Sequence, residues 1–354
     1  MNLFSNLKVI DVSTVLAGPS VATFFAELGA EVIKVENKKT PDVTRSWKLP
    51  YENKEATVSA YFSSINYHKK YLSFDFKDQV DYISFLELIK GADILISNFK
   101  FGDEEKLKLT DTILREINPN LIIGKINGFG EESDRVAYDL ILQAETGYMS
   151  MNGTPESGPV KMPVALIDVL AAHHLKEGLL LGLLNRQKGG TANTITVSLY
   201  DAAVSSLVNQ ASNYLMNHHI PKRIGSLHPN IAPYGEIFKT KDEDLITFAI
   251  GSEAHFLKLT TFLGLQEITS DPKFNTNQNR VSNRIELEQL IQAKIELLST
   301  EEILSKMLSE NVPVGKIKAM DEVFQSERVN NSVLTEKIDG IETKRVSTIA
   351  FKWK

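Results

Sequence analysis

The sequence predicts an α/β fold: a doubly wound, Rossmann-like parallel sheet in a large domain, followed by a smaller α+β domain, within 354 residues. Three observations carry this expectation. The first half alternates short β-branched runs with stretches of helical periodicity. The β-branched runs are apolar almost throughout, as strands covered on both faces are. A stretch dense in proline and glycine, "IPKRIGSLHPNIAPYGEIF", then breaks the pattern before a shorter set of elements begins.

Taken in order, "LKVIDVS" reads as the first strand, "SVATFFAELG" as the first helix, and "EVIKVE" and "YLSFDF" as the next two strands. "DQVDYISFLELIKG" and "DTILREINP" read as helices, each followed by a strand, "DILISN" after the first and "LIIGKING" after the second. Gly29, Gly91 and Pro119 fall near helix ends and Ser20, Asp78 and Asp111 near helix starts, which agrees with the usual punctuation. Right-handed crossovers follow for parallel neighbours. Helices are expected at 138–151 and 163–188, then a strand "NTITVSL" and a helix "DAAVSSLVNQASNYLMNHH". The large domain is predicted over 1–205, completed by 326–354, with 206–225 as linker and 226–325 as the small domain. The latter holds a strand "LITFAIG" and three helical patterns, and the final "VSTIAFKWK" reads as a strand that rejoins the first sheet.

Composition bounds the function. With 42% hydrophobic and 24% charged residues the chain can bury a large core. A formal charge of −6 with acids and bases interleaved offers no footprint for nucleic acid or an anionic membrane. The absence of cysteine removes disulfides, thiolate metal sites and thiol nucleophiles together, so covalent chemistry must use oxygen or nitrogen. "MNLFSNLKVIDVS" lacks the pattern of a secretory signal, and a cytoplasmic location is expected. No HxxxH or Glu-x-x-His spacing is present for a metal: His173 and His174 are adjacent, as are His218 and His219.

One carboxylate stands out. "GPVKMPVALIDVLAAHHLKEGLLLGLLNR" is a long apolar helix that Asp168, His173, His174, Lys176 and Glu177 interrupt too soon for a membrane span, so a buried core helix is expected. If Pro163 opens that helix, Asp168 lies more than a turn inside it, beside Ala165, Ala171 and Ala172. An ionised carboxylate there is costly without a partner. Either it caps a neighbouring backbone at a close helix crossing, or it awaits a ligand group. Asp139 opens a helix after Arg135 and Tyr138, where the helix dipole favours an acid. The first strand–helix turn holds only Gly18 of the three glycines a dinucleotide fingerprint needs, although Glu36 sits near the offset of a ribose-binding acid. Pro19 at the first helical position offers no N–H to a pyrophosphate.

The segments "LKVIDVSTVLAGPSVATFFAELGAEVIKVE", "DVTRSW", "YLSFDFKD", "SNFKFG", "INGFGEESDRVAYDLILQAETGYMSMNG", "PVALIDVLA", "GSLHPNIAPYGEIFKTKD" and "NVPVGKI" run almost end to end. In these the chain resembles the family III CoA-transferases (CaiB/BaiF), the group of formyl-CoA and carnitine CoA-transferases that also holds the α-methylacyl-CoA racemases. It looks most like the succinyl-CoA:dicarboxylate CoA-transferases. The resemblance implies that Asp168 is the nucleophile, passing through an aspartyl acyl anhydride and an aspartyl-CoA thioester, with Asp139 as an auxiliary carboxylate. It further implies coenzyme A contacts from Val15, Leu16 and Ala17, from Lys77 in "FDFK", from Asn98 and Phe99, and from the bases Lys38, Lys106 and Arg135. Relatives often carry arginine at the first two of those bases, and lysine loses the bidentate fork. Acyl-CoA and a small carboxylic acid are then the substrates, no prosthetic group or metal is needed, and the chain forms an interlocked homodimer.

Two departures narrow the reading. The loop "SLHPNIAPY" is flanked only by Gly225 and Gly235, where the formyl-CoA:oxalate members carry consecutive glycines, which speaks against oxalate. Tyr138 stands where the racemases have the histidine of "GHD", and His68 is the one histidine before Asp139. Racemisation needs two opposed acid/base groups, so transfer is favoured. Racemase or epimerase activity on 2-methylacyl-CoA, and an inactive CoA-binding dimer, are the alternatives. Lys222, Arg223 and His228 near the loop are compatible with a second carboxylate on the substrate.

Overall fold

Neighbouring residues of a strand point to opposite faces, and the first strand puts that rule to use. In β1 (Lys8–Asp11), Val9 joins one apolar layer and Ile10 the other, and both are fully buried. The structure, a computed structural model, describes residues 2–352. After β1 come α1 (Ala17–Glu27), β2 (Glu31–Asn37), α2 (Ala60–Ser64) and β3 (Lys69–Phe74). Next are α3 (Gln79–Lys90), β4 (Ile94–Ser97), α4 (Asp103–Leu107), α5 (Asp111–Ile117) and β5 (Ile122–Asn127). Two short helices, α6 (Asp139–Glu145) and α7 (Tyr148–Met151), precede the long α8 (Leu166–Gln187), β6 (Thr194–Ser198), α9 (Leu199–Ser205) and α10 (Val208–Asn217).

The six strands form one parallel sheet in the order β3-β2-β1-β4-β5-β6. Val9, Ile94 and Ile122 pack with α1, α8 and α9 on one face; Ile10, Leu95 and Ile123 pack with α3 and α5 on the other. The order of the strands reverses between β1 and β4. Chains leaving those two strands diverge, and the crevice they leave beyond the carboxyl edge is where such sheets take ligands.

The chain divides into two compact units, one of residues up to 150, 160–221 and 331 onward, the other of 151–159 and 222–330. In the second unit β7 (Tyr234–Lys239), β8 (Leu245–Ala249) and β9 (Val314–Lys316) form an antiparallel sheet. Of its helices α11 (Glu253–Phe262), α12 (Asn277–Ser282), α13 (Arg284–Ile295) and α14 (Thr300–Ser309), the first and the last two supply Phe256, Leu259, Ile291, Ile303 and Met307 to a separate core with Phe238, Ile246 and Phe248.

Four expectations are corrected. The final strand is not "VSTIAFKWK", whose last two residues lie outside the described ones; the chain ends in an antiparallel hairpin, β10 (Val333–Ile338) with β11 (Ile341–Val346), apart from the large sheet. Helix α1 begins at Ala17, so Pro19 is its third residue, and Ser20 is the first to donate along it, to Leu16 O. Helix α8 begins at Leu166 rather than at Pro163, which puts Asp168 in its first turn. Only one face of α8 is buried, since Leu180, Leu181 and Leu184 stand exposed. No helix among the described residues is long and apolar enough to cross a membrane.

Candidate active site

A cavity of about 210 Å³ opens where the sheet order reverses, lined by Thr14–Ala17 after β1, Asn98–Phe101 after β4, Arg135 and Asp168. Val15, Leu16, Ala17, Asn98, Phe99, Arg135 and Asp168, singled out from the sequence, therefore meet around one space. Lys38, Lys77 and Lys106 do not line it. Lys38 pairs with Asp81 at 2.7 Å, Lys106 with Asp103 at 3.1 Å, and Lys77 is exposed on the turn before α3.

Asp168 is 8% exposed, and among the described residues its carboxylate has no hydrogen-bond or ion-pair partner. It does not cap a neighbouring backbone. Burial, assisted by the charge of Asp139, pushes its pKa up to about 7. Asp139 is held instead. Opening α6, it accepts the Ile167 N–H at 2.7 Å with one oxygen and the Gln143 amide at 2.5 Å with the other. The N-cap of α8 is Ala165, which has no side chain to offer, so Asp139 supplies from another helix the acceptor that the first turn lacks. Gln143 completes the clamp by accepting the Met162 N–H at 2.8 Å.

The loop after β1 is held on two sides. Asn98 accepts the Thr14 N–H and donates to the Thr14 carbonyl, both at 2.9 Å. Gly18 is required by a close approach: a Cβ there would lie 2.3 Å from Ser13 Oγ. In the first turn of α1 the N–H groups of Ala17 and Gly18 have no intrahelical acceptor, and Ala17 lines the cavity with Asp168.

Three features escaped the sequence reading. Tyr61, on α2 and edge-on to Trp47 at 5.1 Å, has its phenol pushed up to about 12 by burial and by the charges of Asp168, Asp139 and Asp42. It is a protonated donor beside the carboxylates at any neutral pH. Lys100 lines the cavity and its ammonium has no partner among the described residues. Arg135, by contrast, is already paired with Glu145 at 2.6 Å and lies 3.8 Å over the Phe129 ring. The third is a buried group of charges under the β1 loop, described below. Only Lys100 had a signal in sequence, its place within "SNFKFG".

The loop "GSLHPNIAPYG" belongs to the second unit. Ser226 Oγ donates to Gly235 O at 2.5 Å and His228 N–H to Tyr234 O at 2.9 Å, closing the loop on itself. Gly235 adopts φ +94°, and a Cβ there would strike Ser226 O at 1.9 Å. Residues on one side of α12 and α13 hold the loop's carbonyls. Asn277 donates to Asn230 O at 2.7 Å, Arg280 to Ala232 O at 3.0 Å, and Arg284 to both His228 O and Ile231 O at 2.6 Å. His228 Nδ1 accepts the Asn230 N–H at 3.1 Å, so that nitrogen is committed inside the loop. Among the described residues no group of acids and histidines is arranged to hold a metal.

The family model for CoA-transferase family III matches residues 4–354. The chain is 34% identical to the succinate–glutarate CoA-transferase of Agrobacterium fabrum, covering 92% of this chain and 82% of that one. It is 32% identical to the mouse (Mus musculus) succinyl-CoA:glutarate CoA-transferase, covering 98% of this chain and 79% of that one. Among solved structures, a CaiB/BaiF family protein from Brucella suis superposes with a TM-score of 0.85 at 33% identity, over 98% of this chain and 91% of that one.

Proposed function

The chain belongs to CoA-transferase family III, and from that premise we propose that it moves coenzyme A from succinyl-CoA to a short dicarboxylic acid through covalent intermediates on Asp168. The observation that carries the reading is the Asp168 carboxylate itself, buried and unpartnered in the cavity at the sheet's reversal point. An ionised oxygen of Asp168 attacks the thioester carbonyl carbon; the carbon–sulfur bond breaks, CoA leaves as thiolate, and a mixed anhydride joins the two carboxyl groups. The thiolate then attacks the Asp168 Cγ, releasing the donor acid and leaving an aspartyl-CoA thioester. The acceptor carboxylate runs the two steps in reverse. No proton is consumed overall.

The surroundings suit this chemistry. Burial strips water from the nucleophile and protects anhydride and thioester from hydrolysis. The developing oxyanion needs donors, and the free N–H groups of α1's first turn and the Tyr61 hydroxyl are those nearest in kind. Lys100 and Arg135 are the bases of the cavity that fit the nucleotide phosphates, Arg135 by exchanging Glu145 for phosphate. Lys38 and Lys106 would have to release Asp81 and Asp103 to take part. The dicarboxylate preference rests on the names of the relatives. Asp139 supports transfer over racemisation, because both its oxygens are occupied and Tyr138 stands where an opposed histidine would be needed.

The test is trapping. Protein incubated with succinyl-CoA and quenched with hydroxylamine or borohydride is expected to carry a modification at Asp168 by peptide mass analysis. Turnover with Asp168 unmodified, or α-deuterium wash-in from solvent without CoA exchange, would overturn the reading.

A further inference from the structure

Four charged side chains that the transfer chemistry does not use are sealed under the loop that lines the cavity. Asp11 at the end of β1, Lys34 on β2, Lys69 on β3 and Asp42 all have fully buried side chains. Lys69 donates to Asp11 at 2.9 Å, to Asn66 at 2.9 Å and to the Pro19 carbonyl at 2.9 Å. Lys34 donates to the Ser13 carbonyl at 2.7 Å and pairs with Asp42 at 3.2 Å. Asp42 in turn accepts the Val15 N–H at 3.3 and 3.4 Å, and Thr44 N–H and Oγ1 at 3.1 and 2.7 Å. Buried ion pairs seldom add net stability over an apolar core.

The conformation they hold is the unusual one. Val15 has φ +72°, in the left-handed region that a β-branched residue all but never adopts. Such strain persists only where the surroundings over-determine it. Here the surroundings are Asn98 gripping Thr14 on one side and Asp42 gripping Val15 on the other.

Resting on the transferase reading, we propose that Asp42, itself fixed by Lys34, is a positioning residue: it holds Val15 in the left-handed conformation so that the following residues, Leu16 and Ala17, meet the substrate in one arrangement. Asp42 touches no reacting atom. Its action is to keep the loop preorganised, and a preorganised loop is worth rate because misplacement of a binding group is costly.

Glycine adopts a positive φ unaided, and this gives a decisive test on the full-length protein. Asp42→Ala, Val15→Gly and the double variant are compared by amide exchange of the segment 13–17 and by steady-state kinetics with succinyl-CoA, with Asp42→Asn in parallel to conserve shape. Asp42→Ala is expected to speed exchange in the segment and to lower kcat/KM by at least about tenfold in the wild-type background. Against Val15→Gly the same change is expected to cost less than about threefold, whatever Val15→Gly does alone. Penalties that simply multiply would assign Asp42 a general structural role and overturn the proposal, as would an Asp42→Ala protein with unchanged exchange and turnover. If the exchange pattern holds but wild-type protein transfers no CoA to any dicarboxylate, the transferase reading falls and the brace stands.

Discussion

Asp168, the nucleophile of our proposal, also carries a stability cost. Its folded pKa, about 7, lies above the value of an unfolded aspartate, so between about pH 4 and pH 7 the folded state binds more protons than the unfolded one and stability falls as pH rises. Asp168→Asn removes that cost. The variant is expected to lose transfer and to unfold at a higher denaturant concentration than wild type at pH 8, by on the order of 2–4 kcal/mol, with the two curves converging near pH 4. On the proposed mechanism the wild-type kcat/KM should rise with pH through about 7, as Asp168 ionises. Gly18→Ala places a methyl against Ser13, whose hydroxyl serves the buried Asp11, and is expected to cost about 2 kcal/mol in urea unfolding. The oddity of Asp168 was legible in the sequence, an acid among alanines and leucines, but the choice between capping a backbone and facing a ligand was not. Lys34 and Asp42 were not, since a lysine in "EVIKVE" looks like any solvated strand residue until the third dimension brings it under Ser13.

The strands and helices of the large sheet were the most legible elements, because strands buried on both faces are written as unbroken apolar runs such as "DILISN". The hairpin β10–β11 was missed for the converse reason. In "IETKRV" only Arg345 is buried, so the strand carries no apolar signal, while the apolar "VSTIAF" beside it does. The start of α8 was misplaced because its cap is Asp139, supplied from α6 and invisible to any local motif. Asp139→Asn keeps an acceptor for Ile167 but removes the charge beside Asp168. Its cost in stability should be about 1 kcal/mol, and the acid limb of the kcat/KM profile should move to lower pH. In the second unit, Arg284→Met strips both carbonyls of His228 and Ile231 of their donor, and faster amide exchange confined to 226–235 is the expected result.

At the scale of the molecule, α10 has no buried residue, and Val208, Leu215, Met216 and Ile220 are each more than 70% exposed. Exposed apolar side chains gathered on this one stretch fit an interface, and we propose that they meet a second copy of the chain in an interlocked homodimer. Sedimentation is expected to give a dimer at every accessible concentration, and a Leu215→Glu, Met216→Glu variant an aggregated chain rather than a stable monomer. The sheet-bearing unit is also closed by the far end of the chain: Glu27, at the last turn of α1, is held by Arg345 at 2.6 Å and by the Thr348 N–H at 3.0 Å. Helix α1 begins the cavity at its other end. During synthesis, therefore, the helix that shapes the pocket waits for residues more than 300 positions downstream before its buried acid finds a counter-charge. Ribosome-bound chains halted short of Arg345 should be open to proteolysis around α1, with the pocket among the last parts of this unit to mature.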